Sequence, residues 1–216
     1  MISTPEFAKP RFRGRLHQIA FFFAIPQGIA LVATAAGWLA RLAAGIYALS
    51  LAGLLGVSAL YHRTTWTPRA LARMRRLDHS MIFVLIAGTY TPVSLLVLHG
   101  PWSIALLGVV WAGAITGVLL KQFGMERTRK ITGTMYIVLG WAAVIAAPWF
   151  VTRMSAPVLS LIAAGGILYT VGAIVFARKR PDPNPAVFGY HEVWHVAVVA
   201  ASLCHYVAIL LLVLSR

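Results

Sequence analysis

The chain has 216 residues, 60% of them hydrophobic and only five of them acidic. Charged residues make up 11%, where a soluble domain of this length carries about a quarter. That composition excludes an ordinary soluble enzyme. The net charge of +14 raises nucleic acid as a partner, but the placement of the basic residues accounts for it otherwise, and no nucleic-acid role is expected.

Apolar runs long enough to cross a hydrocarbon core of about 30 Å recur along the whole chain. The predicted fold is an all-α membrane protein, one seven-helix transmembrane domain over residues 1–216. Residues 1–16 are polar and basic, with Lys9, Arg11, Arg13 and Arg15. The first apolar run is too long for a cleaved signal and follows a basic segment, so it reads as an anchor. The predicted spans cover about 19–38, 42–61, 79–98, 102–120, 131–150, 157–176 and 191–214. Pro26 and Gly28 fall inside the first, where a bundle can re-satisfy the backbone they disturb. Asp78 stands just before the third and fits a helix N-cap there. Pro157 suits the first turn of the sixth. Pro181-Asp182-Pro183-Asn184-Pro185 reads as a stiff, non-helical connector before the seventh. The single cysteine, Cys204, lies in an apolar run, so there is neither an internal disulfide nor a thiolate cluster.

Sixteen of the nineteen Lys and Arg residues fall on one side of these spans. They are in the N-terminus and in the loops after spans two, four and six. Arg41, Arg153 and Arg216 make up the other side. The positive-inside rule then places the N-terminus in the cytoplasm and the C-terminus outside. Trp38, Trp102 and Trp149 fall at outer span ends and Trp66 near an inner one, as an aromatic belt requires. The basic loops face anionic lipid headgroups, and membrane lipids are the expected partners. The expected location is the cell membrane, as a multi-pass protein.

Topology sorts the polar residues by depth. His62 ends span two, Asp78 and His79 open span three, and His191 and His195 open span seven, all at the inner face. His191 and His195, four residues apart, share a helix face roughly 6 Å apart. Ser58 is one turn deeper than His62 on its face. Ionisable groups at a membrane edge are costly, so a shared depth points to a shared task. Three neutral imidazoles and one open position make the catalytic zinc pattern. Zinc there lowers the pKa of water to about 7. A carboxylate beside that water can take its proton, and Asp78 and Glu192 are the candidates. The bland alternatives are an interfacial His62, an N-cap Asp78 and a solvated His191/His195 pair. His205 is ten residues beyond His195, about 15 Å deeper, and reads as an interhelical hydrogen bond. His99 falls in an outer loop and His17 at an inner helix start. His79, beside Asp78, is a candidate supporting group.

His191-Glu192-Val193-Trp194-His195 also matches the metalloprotease pattern, with Glu192 as base. No acidic residue follows Glu192, and Val198 and Ala201 occupy positions where the longer metzincin pattern has Gly and His. A third ligand must come from upstream, and His62 lies at the matching depth.

Three dispersed blocks then carry a family resemblance. They are Ser58-x3-His62, Arg76-Leu77-Asp78-His79-Ser80 with Ala87-Gly88-Thr89-Tyr90-Thr91-Pro92, and Phe188-Gly189-Tyr190-His191-Glu192-Val193-Trp194-His195. In these the chain resembles the hemolysin III proteins, bacterial members of the progestin and adipoQ receptor family that includes the adiponectin receptors. The resemblance extends from Arg13 to the end of the chain. It implies a Zn2+ site near the cytoplasmic face held by His62, His191 and His195. It further implies that Asp78, rather than Glu192, holds the water, with Ser58 as a polar partner. The expected activity is metal-dependent hydrolysis of a lipid amide or ester, ceramidase-like, in membrane lipid homeostasis. The alternatives are a non-enzymatic receptor or regulator with structural zinc, a pore-forming haemolysin, and an intramembrane metalloprotease. The long N-terminal extension of animal receptors is missing here, so hormone reception is not expected.

Overall fold

The computed structural model describes residues 9–98, 100–124 and 127–215. His99 and Arg216, assigned above to the outer side, lie outside the described residues. The helices are α1 (Arg15–Thr34), α2 (Gly37–Arg63), α3 (Pro68–Val97), α4 (Pro101–Gly124), α5 (Arg129–Gly140), α6 (Ala147–Arg153), α7 (Ala156–Arg178) and α8 (Tyr190–Leu214). A 3-10 segment, Ala142–Ala146, joins α5 to α6. Taken as one unit, Arg129–Arg153 is the fifth of seven helical stretches long and apolar enough to cross a membrane. The all-α, seven-span expectation therefore holds.

The outward faces are apolar. Phe22, Phe23, Ile29, Leu49, Ile104, Val109 and Ile145 are all exposed. Water would penalise so much exposed hydrocarbon, and lipid does not. This is a multi-pass membrane protein. Helices α3, α2 and α8 are the most buried spans, and α8 packs on α7, α1, α3 and α2. One buried cluster joins Leu31 of α1, Tyr47 and Leu51 of α2, and Val198 and Ile209 of α8. Another joins Phe83 and Ala87 of α3 to Val110 and Ala114 of α4 and Leu139 of α5. With few exceptions apolar residues cannot drive helix association in lipid, so close approach matters more. Gly172 provides it between α7 and α8: a Cβ there would stand 2.7 Å from the Trp194 ring.

Three boundaries differ from the sequence-based expectation. The first turn comes earlier, at Ala35–Ala36, where both residues are extended, and Gly37 takes φ 78°. Trp38 consequently belongs to α2. The third helix begins at Pro68, not at 79, with the Thr67 hydroxyl accepting from the Ala70 N–H at 3.4 Å as the N-cap. Asp78 is therefore well inside α3 and caps nothing. Arg69, Arg73, Arg75 and Arg76 are helical residues whose charges lie beyond the apolar window, and charge does not stop a helix at the membrane edge.

The fifth span is the third difference, being broken where a continuous helix was expected. Pro148 stands in the first turn of α6, after the 3-10 segment. Tyr90 of α3 repairs the backbone: its hydroxyl donates to the Gly140 carbonyl at 3.0 Å and accepts from the Ala143 N–H at 2.6 Å. Inside a membrane such groups need a protein partner. The connector before α8 is non-helical, as expected, and carries an isolated bridge between Asn184 and Phe188.

Candidate metal centre

The last turn of α2 and the first turns of α8 meet at the end of the bundle that bears the basic residues. Ser58 and His62 lie on the buried face of α2. On α8, His195 is buried and His191 half-buried. The ring centroids are 4.7 Å apart for His62 and His191, 5.2 Å for His62 and His195, and 4.7 Å for His191 and His195. One nitrogen from each lies within 4.8 Å of the others, so the three could hold a metal ion.

A tighter test comes from the nitrogens themselves. His62 Nε2 and His191 Nε2 are 3.2 Å apart. Two nitrogens at the usual zinc distance, about 2.0–2.1 Å, with a tetrahedral angle between them, are about 3.3 Å apart. His195 Nδ1 is buried with no hydrogen-bond partner among the described residues. Buried polar atoms are normally satisfied, and an ion or water is one usual reason for an apparent orphan. The donor set thus fits a small divalent cation.

The first turn of α8 is fixed by its connector and by the N-terminal segment. The Gly189 N–H donates to Glu192 Oε2 at 2.8 Å, which is the carboxylate half of a capping box. The Tyr190 N–H donates to Asp182 Oδ1 at 2.8 Å. Arg13 Nε donates to Glu192 Oε1. The Arg11 and Phe12 N–H groups donate to the Ala186 and Val187 carbonyls, each at 3.2 Å. Glu192 is 0% exposed, and both its oxygens are engaged. It holds the helix start and the N-terminal strap, and is not free to act as a base.

Gly14 brings this strap onto the site. Its φ is 77°, and a Cβ would come 2.6 Å from the His62 Cβ. Glycine is the residue that tolerates both.

Asp78 projects from α3 toward α2, where the Ser58 hydroxyl is its hydrogen-bonding neighbour. Ser58 is one turn from His62, and Asp78 itself is not one of the three grouped residues. His79 Nδ1 is 3.6 Å from Asp78 Oδ2 and 2.8 Å from the Arg75 carbonyl. It stands beside Asp78, as anticipated, and outside the three-histidine group. His205 Nε2 meets the Ile162 carbonyl of α7 at 3.2 Å, the interhelical bond expected of it.

One residue of this neighbourhood was missed. His17 of α1 is 3% exposed and lies flat on His195, with centroids 3.8 Å apart and planes 12° apart. Its signal was its depth at an inner helix start, the criterion that selected the others.

The family model described as Haemolysin-III related matches residues 6–206. The chain belongs to that family. It is 34% identical to Hemolysin-3 of Bacillus cereus, over 99% of this chain and 96% of that protein. It is 32% identical to the Hemolysin-3 homolog of Bacillus subtilis, over 90% of this chain and 89% of that protein. A more distant relative, the Adiponectin receptor protein of Drosophila melanogaster, is 26% identical over 70% of this chain and 38% of that protein. The family resemblance read from the three sequence blocks is thereby confirmed, over residues 6–206.

Proposed function

We propose that this haemolysin-III protein is a zinc-dependent membrane hydrolase of lipid amides or esters, with its site facing the cytoplasm. The carrying observation is a group of three imidazole donors, His62, His191 and His195, with no fourth member among the described residues. Three protein ligands and an open position distinguish catalytic zinc sites from closed structural ones. When bound, zinc activates water near neutral pH and polarises a carbonyl.

The chain's own residues supply the rest. Asp78 accepts the proton of the attacking water and returns it to the amine or alcohol that leaves. Ser58 orients the Asp78 carboxylate from α2. The bias of basic residues supports the cytoplasmic orientation, and the apolar outer faces suit a substrate arriving from the bilayer. The protease reading loses its base, because Glu192 is committed to Gly189 and Arg13.

Metal analysis with a lipid-product screen tests the proposal. The wild type should hold about one zinc per chain, as a single three-nitrogen site implies. His62→Ala should lose it. Asp78→Asn should keep the metal and lose turnover. A wild type that holds no divalent metal refutes the centre. Metal retention with no lipid product under any condition, and biological activity intact in Asp78→Asn, would favour the receptor reading, which the name of the Drosophila relative supports.

A further inference from the structure

His17 stands among the elements that hold the three imidazoles without being one of the three. It is 3% exposed, and neither Nδ1 nor Nε2 makes a hydrogen bond of good geometry among the described residues, although the His195 backbone is a polar neighbour of the ring. A neutral imidazole carries one N–H donor and one lone pair. The His195 backbone can serve at most one of these; leaving the other unmet is unusual, and native proteins normally supply a partner, a water or an ion. A phenyl ring would stack on His195 equally well and leave no orphan, so packing alone does not call for histidine here.

The stack limits what His17 can do. An ion bound by an imidazole lies in the plane of that ring, along the nitrogen lone pair. The planes of the three grouped histidines cross at 83°, 60° and 72°, so their lone pairs can converge. The His17 and His195 planes are only 12° apart at a centroid separation of 3.8 Å. Their lone pairs run in separate, nearly parallel planes and do not meet at one ion. His17 is therefore placed beside the centre and not on it.

Its position is also held from behind. His17 is in the first turn of α1, directly after Gly14, which packs on His62, and Arg13, which pairs with Glu192. The ring is pressed against the centre by the same strap that orders α8.

We propose that His17 is a hydrogen-bonding residue of the metal centre: its orphaned ring nitrogen contacts the small ligand in the metal's open position, while its face fixes the plane of His195. This rests on the three-histidine metal reading above.

The test uses full-length protein in detergent, loaded with Co2+, and azide as the probe anion, followed by visible absorption. His17→Phe should retain cobalt, because it keeps the stack and removes no ligand. Its azide dissociation constant should rise about tenfold or more, the loss expected for one hydrogen bond to a charged acceptor. His17→Gln, which keeps a donor, should recover part of that affinity. Unchanged azide affinity in His17→Phe overturns the inference and leaves His17 a packing residue. Loss of cobalt in His17→Phe also overturns it, since His17 would then be a ligand. Should His17→Phe not fold, His17→Leu is judged by the same two readouts. A wild type that takes up no cobalt brings down the metal reading itself, whereas cobalt uptake with unchanged azide affinity fails this inference alone.

Discussion

Removing the Arg13 guanidinium tests whether Glu192 is a structural carboxylate. In Arg13→Ala the Glu192 side chain, 0% exposed, would keep the Gly189 N–H but lose the one cation paired with it among the described residues. Breaking a buried ion pair from one side costs about 3–5 kcal/mol, because the remaining charge stays enclosed. Arg13 is itself 22% exposed, so the pair is not fully desolvated and the lower end, about 3 kcal/mol, applies. For a chain of this size each kcal/mol moves the melting temperature by about 2–4 °C. The expected fall is therefore about 6–12 °C.

Glu192→Gln should be milder, at about 1–2 kcal/mol. The amide still accepts from Gly189, and Arg13 turns toward water. The double variant should melt above Arg13→Ala, since it no longer buries an unpaired charge. The assay is tryptophan fluorescence in detergent at a fixed scan rate, with metal content measured alongside. An Arg13→Ala protein within about 2 °C of wild type, less than one kcal/mol on this scale, would refute the reasoning. So would a double variant that melts below Arg13→Ala. Loss of turnover in Glu192→Gln with an unchanged melting temperature would instead restore Glu192 as a base.

Other outcomes follow from the same geometry. Gly14→Ala places a Cβ at φ 77° and 2.6 Å from His62 Cβ, so the strap must shift. Stability should fall by at least about 1–2 kcal/mol, with reduced zinc retention after dialysis. Gly172→Leu forces α7 away from Trp194, which neighbours His195 of the three-histidine group. It should lower stability by about 1–3 kcal/mol, read as a melting shift in the same fluorescence assay. Chelation should destabilise the wild type, because metal binds only the folded state. Removing zinc held at a hundred times its dissociation constant costs about 2.7 kcal/mol, or about 5–11 °C. Added Zn2+ should reverse the shift, and His62→Ala should show none.

The membrane character was legible because apolar runs of spanning length are hard to produce otherwise. Their alternation also fixed which ends coincide, and so brought His62, His191 and His195 to one depth from distant parts of the chain. The sequence was less informative about where helices end. Hydropathy marks the edge of the membrane, and α3 passes that edge by a charged segment that starts at Pro68. An Asp78 that looked like a cap is a side chain of the helix interior. The break in the fifth span was likewise hidden, because its repair depends on Tyr90 from another helix.

The two residues whose roles changed most illustrate the division. Glu192 belongs to a local pattern that suggests a base, but its partner is Arg13, 179 positions away. His17 is an isolated histidine in sequence and a stacked neighbour of His195 in space. A helix rises about 1.5 Å per residue, so sequence alone sets how deep each side chain sits. Which way that side chain faces depends on how each helix is rotated against its neighbours. That rotation is set by packing, and only the tertiary structure decided it.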